Sequence, residues 1–177
     1  TELKQRLDVS RFHYDLSRRY SDRSFTSLLK KSTEQQALSL YSEVLQKVNT
    51  YYVHSPDWKK IVGRGTMALE VACSDPIFVK HQLSRLSKDQ IEKFRQELHR
   101  HIDWRQVRSR DEAAATARAA AHLAQKHLGL SPAVTILEYT CGAIGTLDPY
   151  SSYLTQAQLD DVYSQIEGNF VGLGIEL

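Results

Sequence analysis

The chain has 177 residues, 23 Lys and Arg against 21 Asp and Glu for a net charge of +2, and 41% hydrophobic and 25% charged residues, the proportions of an ordinary folded domain. A chain of this length buries roughly 70% of its unfolded surface, enough for a core without help from metals or disulfides. No apolar run reaches the roughly 20 residues that cross a bilayer, and no signal-peptide pattern opens the chain; the start at Thr1 is read as the mark of a processed or trimmed product.

In chain order the pattern predicts helices separated by clear punctuation. Residues 1 to 31 read as helical through Leu3, Leu7, Phe12, Leu16 and Tyr20. Thr33 and Gln36 form a capping box, after which Ala37, Tyr41, Val44, Leu45, Val48 and Tyr52 make a stripe ending before Pro56. Trp58, Ile61, Leu69 and Ala72 continue the pattern in a second helix, and Asp75-Pro76 starts another. Ser87 with Gln90 caps a helix that buries Ile91, Phe94, Leu98 and Ile102. Ser109 with Glu112 caps an Ala-rich helix over 110 to 128, whose face of Ala113, Ala117, Ala120, Ala124 and Leu128 implies close helix approach. Cys73 and Cys141 match no metal spacing and read as buried free thiols.

The last third carries the most readable phrase, GAIGTLDPYSSYLTQAQLDDVYSQIEGNFVGLGIEL. Ser131-Pro132 starts a helix, the serine accepting from a free first-turn amide, with Val134, Leu137, Cys141 and Ile144 on one face. Asp148-Pro149 breaks the run, because Pro lacks the amide donor and biases its predecessor away from helix. Thr155 and Gln158 restart a helix carrying Leu159, Val162, Tyr163 and Ile166, which Gly168 is placed to end. From Val171 the period changes to two, with Val171, Leu173, Ile175 and Leu177 alternating against Gly172, Gly174 and Glu176 as a strand does. A second phrase lies upstream in Tyr51, Tyr52, Val53, Asp57, Trp58, Gly63 and Gly65, an aromatic helix end followed by an Asp-Trp turn and a Gly-bearing helix.

In their order these two phrases resemble the segment that leads into the PDZ domain of the carboxyl-terminal processing proteases, also called tail-specific proteases. Two departures stand out: Tyr150 replaces the His that many relatives carry after LDP, and about 70 residues separate the second helix from LDP, which suggests a helical elaboration of one lineage. The resemblance implies an all-α multi-helix bundle over residues 1 to 167, with residues 168 to 177 beginning a truncated PDZ domain. It implies a serine endopeptidase with a Ser/Lys dyad as the whole protein, placed outside the cytoplasm, in a bacterial periplasm, and needing no cofactor. The family's Ser-bearing and Lys-bearing segments follow the PDZ domain and occur nowhere in these residues, so this stretch is expected to be inactive by itself. Gly172, Leu173, Gly174 and Ile175 are similar to the PDZ loop whose amides bind a terminal carboxylate. The other reading of the same four residues is tight packing at the start of a sheet. Protein substrates would be met through the PDZ and protease domains, leaving these helices as scaffold, substrate gate or partner dock.

Other chemistry is weaker. Ser27 and Lys30 make an S-x-x-K spacing, but a Lys base needs burial and Lys30 sits beside Lys31 in a polar stretch, which points to an exposed helix surface. His99 and His101 are two apart and point about 200° from each other on a helix, while His122 and His127 are five apart, so no metal site is expected. Gly63-Arg64-Gly65 follows helical residues, where a phosphate loop should follow a strand. Residues 80 to 110 hold nine Lys and Arg against four acids, whereas 127 to 177 hold no Lys or Arg and six acids. The basic segment reads as a solvated face or an intramolecular dock for an acidic surface; it lacks the aromatic interleaving of a nucleic-acid face, and no nucleic acid is expected. A free-standing helical interaction protein is the chief alternative function, with a nucleic-acid-binding module behind it.

Overall fold

Local capping chemistry sets the helix boundaries. The computed structural model describes residues 2–148 and 151–167, with side chains from Arg6 onward. Among them are nine α-helices: α1 (Glu2–Ser21), α2 (Arg23–Lys31), α3 (Glu34–Tyr51), α4 (Trp58–Ser74), α5 (Pro76–Gln82), α6 (Lys88–His101), α7 (Arg110–Leu128), α8 (Pro132–Ile144) and α9 (Gln156–Ile166). Thr33 with Gln36, Ser87 with Gln90, and Thr155 with Gln158 each close a full capping box, as the spacing predicts. Asp75 accepts from the amides of Ile77 and Phe78, and Ser109 from that of Glu112. Gly129 ends α7 at φ 65°, the left-handed conformation that a residue without Cβ adopts freely. The chain is therefore an all-α bundle, as expected. The proposed strand, the Gly172 to Ile175 loop, the boundary at Gly168 and the departure at Tyr150 lie outside the described residues.

The helical reading of residues 1 to 31 holds with added detail, and the cap at Ser131 needs correction. Residues 1 to 31 form two helices, because Asp22 leaves the helical conformation and accepts from the Ser24 amide to start α2. Of the apolar residues in the helical pattern, Leu7 is 52% exposed, whereas Leu16 and Tyr20 are core. Ser131 stands at the N-cap of α8 but makes no side-chain cap hydrogen bond, so Pro at the first turn is the signal that held there.

α8 is the axis of the bundle, packed by α4, α3 and α7. A one-sided stripe does not describe it: Ala133 through Thr140 are all buried, as are Gly142 and Ala143, while the predicted face residues Cys141 and Ile144 are only half-buried. A helix apolar on every side is a helix surrounded by others. α4 and α8 approach closely: a Cβ placed on Gly142 would lie 2.7 Å from the Gly65 Cα and one on Gly65 would lie 2.5 Å from the Tyr139 ring. α7 meets α8 through the predicted alanine face, with Ala113, Ala117, Ala120 and Ala124 fully buried. α6 covers α7 with Phe94 and Leu98, both 0% exposed. α1 lies across α4 and α5, and Tyr20 joins three elements by edge contacts to Phe25 of α2 at 5.4 Å and Phe78 of α5 at 5.3 Å.

Candidate functional site

The sequence-predicted chemistry is scattered. Ser27 and Lys30 are both exposed on α2, beside buried Phe25 and Leu29. His99 reaches Glu70 of α4 at 2.6 Å, His101 turns back to Glu97 of its own helix, and His122 reaches Glu34 of α3 at 2.9 Å. Each histidine thus serves a different acid, and among the described residues no group of three His, Cys, Asp or Glu is arranged to hold a metal ion. In the basic segment, Arg95, Arg100, Arg105 and Arg110 pair with Glu92, Glu97, Asp103 and Asp111 a few positions away. Local pairing of this kind offsets four of the nine basic residues of the segment, so the face keeps an excess of positive charge.

A polar cluster that the spacing of residues did not reveal lies between α1 and α8. Glu138 is 0% exposed in the middle of the apolar α8; one carboxylate oxygen accepts from Arg19 at 2.6 Å and the other from the Tyr20 hydroxyl at 3.0 Å. Burial raises the Glu138 carboxyl above its ordinary value, and the Arg19 guanidinium beside it works in the opposite direction. Burial together with the facing carboxylate also pushes the Tyr20 phenol well up. A charge in such a place is tolerated only when paired and hydrogen-bonded, and this one is both. Its sequence signal was available: Glu138 is the single acid in the 13-residue apolar helix Pro132–Ile144. A buried acid demands a cation, but nothing local names Arg19, 119 positions away.

Above this cluster opens a cleft of about 280 Å³ lined by Arg11, Phe12, Asp15, Arg19, Arg64 and Cys141, among others. Arg64 stacks 4.4 Å above the Phe12 ring and pairs with Asp8 at 3.1 Å, and Arg19 is engaged by Glu138. The Cys141 thiol is pushed up to about 12, chiefly by burial, so it is not a thiolate at neutral pH. Two of the arginines are thus occupied by the protein's own acids and the thiol is inert. The cluster organises packing around α8 rather than offering a nucleophile.

No family model matches the chain, and no curated protein or solved structure matches it. Among the described residues, no helix is long and apolar enough to cross a membrane.

The aromatic phrase at Tyr51 to Gly65 and the phrase that begins at Gly142 meet in space. The Tyr52 hydroxyl donates to the backbone carbonyl of Leu147, in the turn before Asp148, at 2.6 Å. Gly65 of the upstream phrase and Gly142 of the downstream one let the backbones of α4 and α8 approach closely. Gly63 makes room for Trp104, whose ring would lie 3.1 Å from a Cβ at that position. Gly65 therefore has a steric reason to be glycine, and Gly63 leaves little room for a side chain beside Trp104.

Proposed function

We propose that this chain is the non-catalytic helical region that precedes the PDZ domain in a carboxyl-terminal processing serine protease, acting as scaffold, substrate gate or partner dock. The observation that carries the reading is the Tyr52–Leu147 hydrogen bond, which joins the aromatic phrase after α3 to the turn after α8 across 95 positions. Sequence phrases that are separated along the chain yet bonded to each other behave as one structural unit. The helices α5, α6 and α7 between them pack outward from that unit, α7 on α8 and α6 on α7, as an elaboration would. The exposed positions of Ser27 and Lys30 agree with the absence of a substitute dyad in these residues.

The test is proteolysis of an unfolded, C-terminally tagged substrate by the natural full-length protein and by residues 1–177 alone. The full-length protein is expected to cut near the substrate's C terminus and the 177-residue chain to leave it intact. Cleavage by the shorter chain that disappears in Ser27→Ala or Lys30→Ala overturns the reading.

A further inference from the structure

The contact between α9 and the rest of the molecule is confined to one end. Thr155 is 2% exposed, yet no residue of α9 itself is buried, and Val162, Tyr163 and Ile166 are 38%, 55% and 75% exposed. Among the described residues, the helix with which α9 makes its main contact is the short α2, and the bonded residue is Asp22 in the cap before it. Asp22 divides its carboxylate: Oδ1 accepts from the Ser24 amide to cap α2, and Oδ2 accepts from the Thr155 hydroxyl. Thr155 in turn caps α9, its hydroxyl oxygen accepting from the Gln158 amide while its own amide donates to the Gln158 side chain. Two helix N-caps are thus bonded to each other. Just before them the chain is anchored a second time, by Tyr153 packed edge-on against Phe25 with ring centroids 6.0 Å apart.

We propose that α9 is a latched arm: the Asp22–Thr155 contact between the two caps holds it to the helical body, and it leaves that body without unfolding it. The pivot lies at Thr155, since Tyr153 stays on Phe25 while every described position after Thr155 is exposed or half-buried. Nothing in the core depends on α9, because it contributes no side chain there. An isolated helix of 11 residues is marginal in water, so release of the arm also loosens its own amides. This is independent of the protease reading.

Hydrogen exchange on residues 1–177 tests it through Asp22→Ser. Serine retains the α2 cap, since it is as good an N-cap as Asp, but it is too short to reach Thr155 as well. The α9 capping box is untouched. Wild-type α9 amides are expected to show measurable protection, and Asp22→Ser to speed their exchange roughly ten- to a hundredfold, the range for losing a hydrogen bond to a charged group. The thermal midpoint falls by a few degrees, because the contact stabilises the native state as a whole, and in both proteins the core amides of α8 stay far better protected than those of α9. Three results each overturn the proposal: α9 amides unprotected in the wild type, α9 exchange unchanged in the variant, or α9 amides as strongly protected as those of α8, which would mean that the helix leaves only when the core unfolds.

Discussion

The hydroxyl of Tyr52 donates to the carbonyl of Leu147 at 2.6 Å, so the end of α3 is tied to the turn after α8. Tyr52→Phe removes the donor and leaves the ring in place, with an expected loss of about 0.5–1.5 kcal/mol. Tyr41 provides the comparison, being fully buried with a hydroxyl that has no hydrogen-bond partner among the described residues. Tyr41→Phe should be neutral or stabilising, because it removes a buried polar atom without breaking a bond. Urea denaturation of both variants checks the pair; equal effects would mean that the Tyr52 bond contributes nothing.

Gly142→Ala should destabilise, although Ala is the better helix former by about 1 kcal/mol. The added methyl would meet the Gly65 backbone at 2.7–2.9 Å, and backbone cannot swing aside as a side chain can. Overpacking of this kind costs about 1–3 kcal/mol. A variant more stable than the wild type would show that α4 and α8 are not in this close register.

Glu138→Gln should cost about 3–5 kcal/mol by leaving the Arg19 charge buried and unpaired. The double variant Arg19→Met with Glu138→Leu should recover most of that loss, since an apolar pair of similar volume needs no counter-charge. Chemical denaturation separates the two; a double variant as unstable as the single one assigns the cost to packing instead.

The thiols of Cys73 and Cys141 are both pushed from the ordinary 9.0 to about 12, chiefly by burial. Raised folded-state values favour the neutral thiol, so their contribution to stability is complete below about pH 9. It is lost as pH climbs from about 9 towards 12, where the unfolded chain ionises first. The thermal midpoint should therefore fall above pH 9, and a thiol reagent at pH 8 should react with Cys73 only on unfolding. Prompt reaction of Cys73 in the native protein would contradict its placement.

What was legible in the sequence was local. The boxes at Thr33, Ser87 and Thr155 are closed by a residue three positions on, so their spacing is their structure. The stripes of α3, α6 and α7 were legible because each helix buries one face. α8 was misread because periodicity always selects a face, and this helix is enclosed on all of them. The break at Asp22 carried neither Gly nor Pro, and the partners of Glu138 and Gly142 lie far along the chain, where residue spacing holds no information.

The central claim, that these helices lead into a PDZ domain and a Ser/Lys protease, is tested most directly by reading the coding sequence downstream of the Leu177 codon. The account predicts an open frame encoding the remaining PDZ strands, then a segment with the nucleophilic serine and a lysine on the helix that follows it. A stop codon directly after Leu177, or a continuation without the PDZ and Ser/Lys segments, would contradict it.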